Sequence, residues 1–246
     1  MFRSWGLVFE SEIEYYEKLS VSEEYSFLEK AFAANMDIAE NTYNTPFVQS
    51  IKADKLSPET YGSVTVLDAY YCYEAAQSIW HACGNADENS ELQNALKKFY
   101  NSYAKYNGTF YSTWHVPAAQ NVVPNNAFQT YAKHERAIAK EDSPIYLLPA
   151  LMPCYKLWAW MAYKIYQEWK AESSSNKQNV GDDKLYGFWV LGNMGNKGES
   201  GSATLADHVI SQWVKDGKEF DEEKALKIFR KSMQCEYDVF SSNGNY

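Results

Sequence analysis

The most apolar stretch of the chain, residues 145–169, is opened by Ser143-Pro144 and carries two further prolines, Pro149 and Pro153. Serine followed by proline is a helix-start signal. The pyrrolidine ring presets φ for the first turn, and the N–H it lacks would have had no helical partner there. Leu147, Leu151, Leu157, Trp158, Trp160 and Trp169 follow at spacings a helix accommodates. An interior proline costs about 3 kcal/mol or more and usually bends its helix. The pattern therefore predicts a helix with a bend beside Cys154.

Helical punctuation continues on both sides. Phe27, Leu28, Phe32, Met36 and Ile38 form an apolar stripe that predicts a helix over 22–43, capped by Ser22 and ended by Asn44-Thr45-Pro46. Ser57-Pro58-Glu59 opens a second helix that runs through Val64, Leu67, Asp68, Tyr71 and Ala75 to about Cys83, with Gly84 as its stop. Further helices are predicted over 90–106, ending at Asn107-Gly108, and from Pro124 through Phe128, Tyr131 and Ile138. Three more follow over 182–192, 202–216 and 221–240. Residues 109–123 and the polar run 172–177 read as loops. Strand alternation is weak and no internal repeat is visible. The economical fold is an all-α, single-domain bundle of about eight helices.

Charge and cysteine usage remove whole classes of function. A net charge of −9 and a pI of about 5.0 repel phosphate backbones, so no nucleic-acid partner is expected. No run approaches 18 apolar residues, so no membrane span is expected. The start, Met1 to Phe9, is too short for a secretory apolar core with its flanks. It reads as a mature N-terminus or an added packing segment, in a cytoplasmic protein. Cys72, Cys83, Cys154 and Cys235 form no CxxC pair, and only His81, His115, His134 and His208 could join them. Neither a metal nor any other cofactor is expected. Aromatics make up 16% of the chain, which suits a pocket for a flat heterocycle and equally suits helix interfaces.

Three residues stand out as chemistry. Asp68 lies in the otherwise apolar run Val64 to Tyr71, three positions before Tyr71 and on its helix face. A carboxylate so placed needs a hydrogen-bond partner or a ligand, and both remain open. Cys154 follows Pro153 on the helix expected to bend. It reads as a core thiol or as a nucleophile made accessible by the bend. Glu236 sits on the last helix among apolar neighbours, as a functional acid or as a solvent-facing one. His134 reads as a surface histidine.

Four segments carry a resemblance. Thr45-Pro46-Phe47-Val48-Gln49-Ser50-Ile51, Leu67-Asp68-Ala69-Tyr70-Tyr71, Ala150-Leu151-Met152-Pro153-Cys154-Tyr155-Lys156-Leu157 and Cys235-Glu236-Tyr237-Asp238-Val239-Phe240 resemble, in order and approximate spacing, motifs of the TenA or thiaminase II family. The resemblance implies a haem-oxygenase-like helical bundle over 45–246, preceded by an extension over 1–44 with a helix packed on the core. It implies a homo-oligomer, tetramer or dimer, whose partner is a small aminopyrimidine or thiamin-like molecule. Cys154 matches the nucleophile that attacks the aminopyrimidine ring. Asp68 matches the carboxylate that binds the ring's amino group and nitrogen, and Glu236 matches the proton-shuttling acid. Tyr71 and Tyr131 match pocket tyrosines. Trp158 and Asn193 stand where the family pattern often has tyrosine, and Phe240-Ser241 replaces a Phe-Trp pair.

The implied reaction is hydrolysis of the C–N bond of thiamin, or of an aminopyrimidine formed by its breakdown, to hydroxymethylpyrimidine. Two other readings follow from the departures. One is a non-catalytic relative that binds a heterocycle, though plain binding would not need the thiol. The other is an oxidative relative of the same bundle, which the shortage of histidine weakens.

Overall fold

The computed structural model describes residues 26–115, 118–172 and 180–242; the apolar start at 1–9, the expected cap Ser22 and most of the loop expected at 172–177 lie outside them. Among the described residues there are ten α-helices. They are α1 (Phe27–Ala33), α2 (Met36–Tyr43), α3 (Pro46–Lys52), α4 (Pro58–Asn85), α5 (Glu91–Trp114), α6 (Asn126–Glu141), α7 (Leu147–Glu172), α8 (Gly187–Asn193), α9 (Gly201–Lys215) and α10 (Glu222–Ser242). Short 3-10 turns span Ala119–Asn121 and Pro144–Tyr146. No strand occurs among the described residues, only an isolated bridge between Asn196 and Glu199. The chain is all-α, as its punctuation predicts.

Several boundaries differ from the sequence reading: the helix expected from 182 starts at Gly187, and three others have a clear local reason. The stretch expected as one helix to residue 43 is two. Asn35 turns its side-chain amide onto the Ala31 carbonyl at 2.8 Å, the acceptor a continuous helix would give to its own backbone N–H. That N–H bonds the Phe32 carbonyl instead, and α2 starts afresh. Further on, α5 does not stop at Gly108. Phe110 is buried against Tyr106 with ring centroids 4.8 Å apart, and this packing carries the helix on. It ends where His115 takes a left-handed conformation (φ 53°). Finally, α6 begins after Pro124, where the Asn125 side chain caps the Phe128 N–H.

The bundle is organised around α7. Every residue from Ile145 to Leu157 is buried, the mark of a helix enclosed by others rather than one with a single core face. It packs against α10, α9, α8 and α6, while α4 packs along α5 and α6. Pro149 falls in the first turn of α7, where a missing N–H costs little, and Pro153 lies inside the helix. Gly187 at the start of α8 allows a close approach, since a Cβ there would sit 1.8 Å from the Gly181 carbonyl oxygen.

Residues 26–43 share this core. Phe27 meets Phe220 and Phe229 edge-on at 5.9 and 6.2 Å. Asp207 of α9 caps α1 across the interface. Its two oxygens accept from the Ser26 hydroxyl at 2.7 Å and the Leu28 N–H at 2.8 Å, while Ser26 Oγ accepts from Glu29 N–H. The orphan amides of a helix start are thereby satisfied in part by a residue 179 positions away, which locks α1 to α9.

Candidate functional site

Helical spacing gathers chemistry on four helices. On α4, Asp68, Tyr71 and Cys72 share one face, and all three are buried. On α6, Tyr131 and Glu135 are one turn apart, as are Cys154 and Trp158 on α7 and Glu236 and Phe240 on α10. Packing these faces together surrounds Cys154 with the carboxylates of Asp68, Glu135 and Glu236, each of which acts electrostatically on its thiol. α5 completes the wall with Tyr103 and Tyr106.

Hydrogen bonds fix the acids individually. Tyr106 donates to Asp68 Oδ2 at 3.3 Å, and the Cys72 thiol lies 3.8 Å from Oδ1. The Trp158 indole N–H donates to Glu236 Oε2 at 3.0 Å. Tyr71 donates to Glu135 Oε1 at 2.8 Å, and its ring stands 4.7 Å from that of Tyr131. Tyr103 lies at the outer limit of a sulfur hydrogen bond, 4.0 Å from Cys154 Sγ. Beyond these bonds, Glu135 Oε2 is buried without a partner, while the Tyr131 hydroxyl acts on Glu236 and the Tyr155 hydroxyl on Tyr103.

Electrostatics follow from burial. Removal from water disfavours a charged form, so buried acids hold their protons. Burial pushes Glu236 up to about 7, against the pull of Trp158 and Tyr131 and with a push from Asp68. Burial pushes Glu135 up to about 8, opposed by the Tyr71 hydrogen bond and reinforced by Glu236. Burial, then Glu236, Asp68 and Glu135, raise the Cys154 thiol well above its ordinary value. At neutral pH the group is a protonated thiol beside carboxyl groups that titrate near neutrality. The arrangement can exchange protons within itself and can stabilise a nucleophile only as it forms.

The structure brings Cys154, Asp68, Glu236, Tyr71, Tyr131 and Trp158 into this cluster. Trp158 also packs on Phe240 at 5.2 Å and on Trp189 of α8 at 5.6 Å. Asn193 turns its amide back onto the Trp189 carbonyl at 2.7 Å, so α8 meets the cluster through Trp189. His134 is half-buried against α10, with its ring nitrogen 3.1 Å from Ser232 Oγ.

Sequence reading missed Glu135, Tyr103, Tyr106, Tyr155 and Trp189. Glu135 lies in the charged run Lys133-His134-Glu135-Arg136, which looks like a solvated face. Its position one turn after Tyr131 was the available signal. Among the described residues, no group of three His, Cys, Asp or Glu could hold a metal ion. An open cleft of about 670 Å³ lies between the first turns of α4 and residues 122–125, lined by Ser63, Val66, Leu67 and Val123. It borders Leu67, next to Asp68, and contains none of the cluster's acids.

A helical bundle with a thiol buried among carboxyl groups and tyrosines is thus the class that fold and site define. No protein-family model and no curated protein matches the sequence. Solved structures do match in shape. A TenA homologue from P. horikoshii OT3 is 15% identical with a TM-score of 0.69, covering 89% of this chain and 99% of its own. A structure described as a TenA family transcription regulator, from a Silicibacter species, is 13% identical with a TM-score of 0.71, covering 89% and 97%. A protein of Sulfolobus solfataricus described as a TenA-like thiaminase is 14% identical with a TM-score of 0.60, covering 87% and 95%. The chain has the fold of these TenA proteins over most of its length. No helix of the described residues is long and apolar enough to cross a membrane.

Proposed function

We propose that the chain is a TenA-type hydrolase that cleaves the C–N bond between an aminopyrimidine methylene group and its leaving group. Thiamin and its aminopyrimidine breakdown products are the substrates, and hydroxymethylpyrimidine is the product. The observation that carries the proposal is the convergence of Cys154, Asp68 and Glu236 in one aromatic-walled site. The sequence resemblance and the shared fold support it.

Each residue's part follows from its environment. Asp68 accepts from the amino group of the ring. Glu236, titrating near neutrality, gives its proton to a ring nitrogen and makes the ring electrophilic. The Cys154 thiol passes its proton to a neighbouring carboxylate as the Sγ–C bond forms, so the thiolate is never held free. The C–N bond to the leaving group then breaks and its electron pair departs with nitrogen; an amine leaving group takes up a proton, whereas the thiazolium of thiamin leaves as the neutral thiazole. Water adds to the methylene carbon, and expulsion of Sγ restores the aromatic ring and the thiol. Tyr71, Tyr131 and Trp158 clamp the flat ring.

The test is release of hydroxymethylpyrimidine from thiamin, aminomethylpyrimidine and formylaminomethylpyrimidine by the wild type and by Cys154→Ser. Release by the wild type alone is the expected result. No release from any of the three by a folded wild type sinks the hydrolase proposal.

A further inference from the structure

Glu135 is the one of the cluster's three named carboxylates to which the proposed chemistry gives no part. Its side chain is fully buried, at 0% exposure. One oxygen, Oε1, is committed to the Tyr71 hydroxyl, while Oε2 has no partner. A buried polar atom left unpaired costs about 1–3 kcal/mol, so native cores seldom keep one without use. Two tyrosine hydroxyls accompany it, that of Tyr131, which acts on Glu236, and that of Tyr155, which acts on Tyr103. Glu135 interacts electrostatically with both tyrosines, and all three groups interact with Cys154.

We infer that Glu135 is a substrate-positioning residue, whose Oε2 hydrogen-bonds a polar heteroatom of the heterocycle held beside Cys154 while Tyr71 fixes Oε1. This inference rests on the proposed reading of the site as an aminopyrimidine pocket. Because Tyr71 already donates to Oε1, a proton carried by Glu135 resides on Oε2 and points to the ligand. Burial holds that proton in place at neutral pH, so Glu135 acts as a neutral donor. The role differs from that of Glu236, whose bonded partner is Trp158. Tyr71 and Tyr131, whose tilted rings lie 4.7 Å apart, tie the position of Glu135 to the wall of the same pocket.

The test is calorimetric binding of hydroxymethylpyrimidine, with KM and kcat for whichever pyrimidine the wild type hydrolyses. Glu135→Leu removes the hydrogen-bonding group at similar size, and Glu135→Gln keeps both a donor and an acceptor. The expected result is about tenfold weaker binding and a higher KM in Glu135→Leu. Glu135→Gln should remain within about threefold of wild type, and kcat should move less than KM in both. Thermal unfolding without ligand adds a readout that a merely structural role would reverse: removing an unpaired oxygen should leave Glu135→Leu at least as stable as Tyr71→Phe.

Unchanged binding in a folded Glu135→Leu overturns the inference. So does a loss fully reproduced by Tyr71→Phe, which would reduce Glu135 to a prop for the tyrosine. If Glu135→Leu does not fold, Glu135→Met repeats the test, and failure of both to fold assigns Glu135 to structure alone. A wild type that binds hydroxymethylpyrimidine without hydrolysing anything sinks only the hydrolase proposal. One that hydrolyses normally with Glu135→Leu unaffected sinks only this inference, and one that binds no pyrimidine sinks both.

Discussion

Asp207 and Glu135 are both carboxylates buried between helices, and they are treated in opposite ways. Both oxygens of Asp207 accept hydrogen bonds, from Ser26 Oγ and Leu28 N–H, and the result is a capped helix. Glu135 has one oxygen bonded and one unpaired. Burial raises the affinity of both for protons. What separates them is whether the fold itself completes the hydrogen bonds. A completed set stabilises the fold, whereas the incomplete set beside the thiol is the one we assign to a bound heterocycle.

That contrast can be broken in several places. Cys154→Ser should lower kcat by about a thousandfold or more while shifting thermal unfolding little, since a near-isosteric change in the cluster removes only the nucleophile. A comparable loss of fold would make Cys154 a core residue after all. Glu236→Gln should lower kcat by about a hundredfold and remove the limb of the kcat/KM profile near pH 7. Retention of that limb would assign it to another group.

On the structural side, Asp207→Ala should cost about 1–3 kcal/mol in denaturant unfolding, because Leu28 N–H is left buried without an acceptor, and kcat should hold. The pH dependence should run in one direction. Glu135 and Glu236 bind protons more tightly folded, at about 8 and about 7, than at their ordinary value of 4.5. The folded state therefore holds more protons than the unfolded one between these limits. Stability should be greatest below about pH 4.5 as far as these two groups are concerned. It should fall as pH rises to about 8, and Glu135→Gln should flatten the fall. Equal unfolding midpoints at pH 5 and 8 would contradict the burial described for both. The smallest effect belongs to Ser26→Ala, which should cost about 0.5–2 kcal/mol and leave the rest of the cap to Asp207.

Much of the fold was written locally. Ser57-Pro58 and the proline-marked start at Ser143 place α4 and α7 within a few residues, because caps act on their own first turn. The break at Asn35 and the extension of α5 past Gly108 were not legible. One turns on a side chain choosing a backbone acceptor, and the other on an i,i+4 ring contact between Tyr106 and Phe110 that outweighs the Asn-Gly stop signal. The site divides in the same way. Asp68, Cys154 and Glu236 were recognisable as motif residues. Glu135 was hidden by Lys133, His134 and Arg136, whose charges conceal that position 135 faces inward on α6.

Lys156, two positions beyond Cys154, is itself buried, yet its ammonium turns to Glu199 and lies over the Phe32 ring. The cation closest to the cysteine in sequence is thus spent on the opposite side of α7. Peroxide and other oxidants react with thiolates far faster than with thiols. A thiol denied a resident cation keeps its proton more firmly and is therefore shielded from oxidative damage.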